Sequence, residues 1–196
     1  MKEKLIAALM AQGYRVFNRP FELNIVGLRS DSIIPNVFND TINVLYKDES
    51  GNWQLQSYEA TTDPGTYWLK NPLNPQGTAI LKEGQYLNSH MMGLHRNKYE
   101  ALVQRNPVTV IRDVKRDGKL DFNGKEDTGL FGINIHRALQ DGTTKFIDKF
   151  SAGCQVFANA GDFNAFMELC ARHKQLYGNN FTYTLLHETS ILSRAA

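Results

Sequence analysis

Cysteine is scarce in this chain: Cys154 and Cys170 are the two in 196 residues. So few cannot form a disulfide framework, and each thiol has to be explained singly. Long apolar runs are missing as well. No stretch approaches the roughly 18 apolar residues that a membrane-spanning helix needs. Charge of one sign does not dominate, since 22 basic residues face 20 acidic ones for a net charge of +2. A dedicated nucleic-acid binder carries a clear basic excess, so nucleic acid is not an expected partner. Neither a P-loop nor a GxGxxG motif occurs, and no close His/Cys/Asp cluster has ligand spacing. No cofactor and no metal are expected. Internal repeats and low-complexity linkers are absent too.

What remains is a composition of 42% hydrophobic and 21% charged residues, which is globular. The length suits one domain that can bury a sizeable core without staples. The opening "MKEKLIAALMAQGYRVF" has a short apolar stretch, an early Glu3 and no small-x-small cleavage site. It reads as an amphipathic helix over 3–12, with Leu5, Ile6, Leu9 and Met10 on one face and Gly13 at its end, and not as a secretory signal. The expectation is a protein made in the cytoplasm that reaches any outside target only if delivered.

Further along, "FELNIVGLRS" (21–30) has a strand-like core. "TINVLYKDESGNWQLQSYEAT" predicts a β-hairpin turning at Asp48–Gly51. "TTDPGTYWL" predicts a turn leading into a strand, with Asp63 and Pro64 suited to the turn, and "TAILKEGQY" follows. "NKYEALVQ" predicts a short helix, "VTVIRDV" a strand, "DGKLDFNGKEDTG" a polar loop and "LFGINIH" a strand. The clearest helix is "GDFNAFMELCARHKQLYG", with Phe163, Phe166, Met167 and Cys170 on one face, Asp162 as its cap and Gly178 at its end. "FTYTLL" is a last strand. The sum is an α+β chain, mainly β with a few helices. Residues 1–30 read as a leading helix and strand, and 31–196 as the main domain.

Chemistry concentrates between His136 and Cys154. A thiol near its ordinary pKa is a weak nucleophile until a neighbouring base takes its proton. Alternation along "GINIH" sends Ile133 and Ile135 to the core, and Asn134 and His136 to the other face, toward a cleft. Gly153 permits unusual dihedrals and close substrate approach beside Cys154. Backbone N–H groups at Gly153 and Cys154 could meet a developing oxyanion. Cys170 lies on an apolar helix face and reads as core, and His173 and His187 read as structural.

Fourteen residues separate His136 from Ser151-Ala152-Gly153-Cys154. This resembles the L,D-transpeptidase (YkuD-type) signature, in which a histidine is followed at similar spacing by Ser/Thr-His-Gly-Cys. "GINIHRA" is similar to that family's "GIHG" strand, and the 41–58 hairpin followed by "TTDPG" has the family's order of elements. The resemblance covers roughly residues 40–160. It implies an L,D-transpeptidase-like β-sandwich and acyl transfer through a Cys154 thioester, with His136 as base. Gly153 and Ser151 would shape the oxyanion turn, and the Arg137 main-chain carbonyl would orient the His136 ring. Peptidoglycan stem peptides are the implied partner, with phage or secretion-system delivery to the cell wall. Ala152 stands where the family has a second histidine, Arg137 where it has glycine, and Gln155-Val156 where it has Arg or Asn. These departures leave open whether water or an amine resolves the thioester.

"YLNSHMMGLHRNKYEALVQ" (86–104) gathers His90, His95, Arg96, Tyr86 and Tyr99. Of these, His95, Arg96 and Tyr86 are candidates for substrate binding, with His95 or Arg96 on a carboxylate. Two other readings compete. One is a non-catalytic virion or secretion-machine component that kept the fold. The other is an unrelated cysteine peptidase, with Asn134 or Asp162 as the histidine's partner.

Overall fold

The computed structural model describes residues 1–192. The helices are α1 (Lys2–Ala11), α2 (Thr66–Lys70), α3 (Ala160–Tyr177) and α4 (Thr189–Leu192). The strands are β1 (Asn24–Arg29), β2 (Asp40–Lys47), β3 (Trp53–Thr61), β4 (Thr78–Leu81), β5 (Gly84–His95), β6 (Tyr99–Gln104), β7 (Val108–Asp113), β8 (Lys125–Gly129), β9 (Ile135–Arg137), β10 (Gln155–Phe157) and β11 (Phe181–His187). The chain is α+β and mainly β. Eight strands close into a barrel in the order β1-β11-β5-β6-β9-β10-β3-β2, and β4-β7-β8 form a separate sheet. In place of the sandwich implied by the motif, the strands form a closed barrel with a small separate sheet, because β1 pairs with both β2 and β11. Ala79, Leu81, Val108 and Val110 of the small sheet belong to the same core as the barrel's inward side chains.

Alternation builds this core. In β1, Ile25 and Gly27 face inward, while Val26 packs outward with Leu5, Ala8 and Leu9 of α1. The face that α1 buries is Leu5, Ala8 and Leu9, whereas Met10 is exposed. β1 is a stave of the barrel between β2 and β11, so the boundary at residue 30 falls at the end of a central strand. Phe163, Phe166 and Cys170 of α3 seal the core beside Phe157. The cap of α3 is Asn159, whose side chain accepts the Asp162 N–H; Asp162 supplies that N–H and is not itself the cap.

Four expectations change. The end of the expected polar loop, Lys125–Gly129, forms β8, because it pairs antiparallel with β7. Residues 99–104 form β6 and not a helix. Arg96 and Asn97 both have positive φ, 49° and 57°, which turns the chain at 95–98 into a tight hairpin, and pairing with β5 then overrides local helix propensity. After "TTDPG" comes the short helix α2. Gly65 caps it, and only Leu69 is buried, so nothing in the segment supports a strand's alternation. In "LFGINIH" only Ile135 and His136 lie in a strand, because Gly132 bends the backbone at φ 73°.

Candidate functional site

The loop ahead of β9 has no strand partner, so its backbone groups must find side chains. Gln104 takes that role. Its Oε1 accepts the Phe131 and Ile133 N–H groups at 3.0 and 2.9 Å, and its Nε2 donates to Gly129 O at 2.9 Å. The fully buried His90 donates from Nε2 to Ile133 O at 2.8 Å and is held neutral by burial, its pKa lowered to about 4. The loop fixed in this way forms one wall of a cleft of about 430 Å³ that Cys154 lines.

The motif turn sits opposite. Ser151 Oγ donates to Cys154 O at 2.7 Å and accepts the Gly153 N–H at 3.2 Å. Gly65 N–H holds Ser151 O at 2.9 Å, so the Pro-Gly turn braces the motif. Gly153 has φ 124°, and a Cβ there would lie 2.5 Å from Ala79 O, so only glycine fits. The Ser151 hydroxyl is thus bonded at both ends of the turn. The Gly153 N–H does not face a substrate, because the serine hydroxyl already takes it.

β9 and β10 are parallel, with Gln155 opposite Ile135 and Val156 opposite His136. Cys154 and His136 consequently share a face, with Cα atoms roughly 8 Å apart on ordinary strand spacings. No hydrogen bond joins their side chains. The Cys154 thiol donates to Gly132 O at 3.3 Å, and burial raises its pKa, opposed by the Asn134 N–H and the Arg96 charge. The resting group is a thiol.

His136 is buried and does not itself line the cleft. Its Nδ1 donates to the Arg137 carbonyl at 2.8 Å, and the Tyr99 hydroxyl lies 3.3 Å from the same nitrogen. With Nδ1 protonated, Nε2 carries the lone pair, and that buried atom has no hydrogen-bond partner. Burial first, and the adjacent His95 second, lower the His136 pKa to about 3. The ring is thus a neutral acceptor.

His95 occupies the place toward the cleft. Its ring stacks on His136 with centroids 4.0 Å apart, and it lines the cleft together with Arg96. Arg112 also lines the cleft, but its charge is spent on Asp127 at 2.8 Å. Among the described residues, no carboxylate lines the cleft. Tyr86 is elsewhere, its hydroxyl donating to Lys82 O at 2.6 Å, with burial raising its pKa. Asn134 contacts His95 and not His136, and Asp162 sits in the first turn of α3. Sequence reasoning missed Gln104 and Trp68, the latter carried to the cleft by α2. An amide at the end of a strand carries no motif that could have singled out Gln104.

Among the described residues, no group of three or more His, Cys, Asp or Glu side chains could hold a metal ion, and no helix is long and apolar enough to cross a membrane. No protein-family model matches the chain, and no curated protein or solved structure matches it.

Proposed function

We propose that this protein is a cysteine enzyme acting on stem-peptide bonds of peptidoglycan through a thioester at Cys154. The observation that carries the reading is the His136 ring: Nδ1 is tied to the Arg137 carbonyl at 2.8 Å, which leaves a buried, unpartnered Nε2 lone pair on the face shared with Cys154. The reaction requires the Cys154 thiol to leave Gly132 O and turn toward that nitrogen. Nε2 then accepts the thiol proton, and the sulfur attacks the carbonyl of a peptide bond to a diamino-acid residue. Protonated His136 returns the proton to the departing amine. Water or a second amine resolves the thioester. Stem peptides carry free carboxylates, and Arg96 is an exposed cation in a cleft whose lining, among the described residues, contains no carboxylate. Delivery by a phage or a secretion machine would bring the enzyme to the wall.

The second reading is a non-catalytic virion or secretion-machine component. It draws on the thiol's hydrogen bond to Gly132 O and on the occupied Gly153 N–H. Intact-mass spectrometry with a carbapenem separates the two. The enzyme reading expects one adduct per chain on Cys154, absent in Cys154→Ala and strongly slowed in His136→Ala, together with changed muropeptides after incubation with purified peptidoglycan. If Cys154 acylates no faster than glutathione, the catalytic reading fails.

A further inference from the structure

The two stacked imidazoles have opposite tautomers, and the hydrogen-bond network assigns both. Asn134 Oδ1 accepts the Gln104 main-chain N–H at 2.9 Å, and a backbone N–H can only donate. That fixes which end of the Asn134 amide is oxygen. The other end, Nδ2, is therefore a donor, and it lies 3.1 Å from His95 Nδ1. His95 Nδ1 must accept, so its proton resides on Nε2. His136 is the reverse: Nδ1–H donates to Arg137 O and Nε2 holds the lone pair.

The two Nε2 atoms also differ in their surroundings. His136 Nε2 is sealed and unpartnered. His95 Nε2 makes no hydrogen bond among the described residues and is not among the sealed atoms, while its ring lines the cleft with Cys154. One ring offers a base, and the other, one stacking distance away at 4.0 Å, offers a donor. A tetrahedral intermediate needs a donor aimed at its oxygen. The Gly153 N–H is held by Ser151 Oγ at 3.2 Å, which leaves the Cys154 N–H and a cleft side chain to supply the donors.

We propose that His95, through its Nε2–H, is the oxyanion donor of the Cys154 reaction. The inference rests on the cysteine-enzyme reading above. In the step, the thiol proton passes to His136 Nε2 and the sulfur–carbon bond forms. The carbonyl π pair moves onto oxygen, where the His95 N–H meets it. Collapse of the oxyanion breaks the bond to the leaving group, which takes the proton from His136. Burial and the Arg96 charge keep His95 neutral, with a pKa lowered to about 4, so it donates as an imidazole and does not put a second positive charge beside protonated His136.

Two reagents separate donor from base. Acylation by p-nitrophenyl acetate passes through an oxyanion, whereas alkylation by iodoacetamide needs the thiolate alone. In His95→Phe, which keeps a stacking ring and removes the N–H, acylation of Cys154 should fall roughly 100- to 1000-fold. Alkylation should stay within about twofold of the parent. His95→Gln, which restores an N–H donor, should recover part of the acylation and keeps the test available should the phenylalanine variant misfold. Equal losses with both reagents would make His95 a structural support for His136 and overturn the proposal, as would no loss with either. If the parent protein reacts no faster than glutathione with either reagent, the cysteine reading itself has failed, and that result is distinct from both.

Discussion

At the scale of single residues, Gln155 shows how the barrel interior sets the site. It stands where the resembling family has a different residue, and it is fully buried. Its Oε1 accepts the Tyr183 hydroxyl at 2.7 Å, and its Nε2 donates to Gly153 O at 3.2 Å. Tyr183 in turn fits because Gly27, on the adjacent strand β1, has no side chain; a Cβ there would lie 1.9 Å from the hydroxyl. Gly27, Tyr183, Gln155 and Gly153 are thus a chain of contacts from the far wall of the barrel to the motif turn. Gln155→Leu leaves the Tyr183 hydroxyl buried without a partner and should cost about 1–3 kcal/mol in urea unfolding. Replacing both partners removes the orphaned group, so Gln155→Leu/Tyr183→Phe should be more stable than Gln155→Leu alone. Additive losses in the double variant would show that the two side chains are not coupled.

At the scale of elements, the β5–β6 hairpin carries the tension between stability and site. A tight turn with two positive-φ residues favours Asn-Gly, yet this one places Arg96 first, at φ 49°. Lys98 N–H closes the turn on His95 O at 3.0 Å. A long cationic side chain in a left-handed conformation is strained locally, and such strain tends to persist at functional positions. Arg96→Asn should therefore raise stability by about 0.5–1 kcal/mol while weakening binding of a stem peptide with free carboxylates, measured by calorimetry on the Cys154→Ala background. A variant that is no more stable, or that binds as well as the parent, would remove Arg96 from the argument.

The same hairpin marks what was legible in the sequence. The His136–Cys154 spacing, the inward Ile133 and Ile135, the β2–β3 hairpin and α3 could all be read, because each depends on local period or motif. Residues 99–104 have the local propensity of a helix, and their strand state comes from pairing with β5, a partner that local propensity does not see. The stacking of His95 on His136 was out of reach for a related reason: β5 and β9 are brought together only by β6, which lies between them in the barrel. His95 could be read as a cleft residue but not as the cover over the base.

At the scale of the whole molecule, closing a barrel around polar machinery buries titratable groups of both kinds, and their effects on stability oppose one another. His90, His95 and His136 are lowered from 6.5 to about 4, 4 and 3, chiefly by burial. Each contributes stability that is fully present above pH 6.5 and is lost as pH falls toward the folded value, because the unfolded chain takes up the proton first. Asp40 runs the other way. Burial, and then the charge of Asp63, raise it from 3.8 to about 6, so its contribution is present at low pH and lost as pH rises through 6. Asp63, beside Arg29 at 3.0 Å, is raised too, by burial. Between pH 7 and 5 these three imidazoles, with His173 lowered by burial in the same sense, outweigh the carboxylates, and the urea midpoint should fall on acidification. Asp40→Asn removes a proton uptake that partly offsets this fall, so its midpoint should drop more steeply over the same interval. Parallel slopes in the two proteins would mean that Asp40 is already ionised when folded. A parent protein with a flat profile would mean that burial does not lower the three rings, while the tautomers of His136 and His95, set by their hydrogen bonds, would stand.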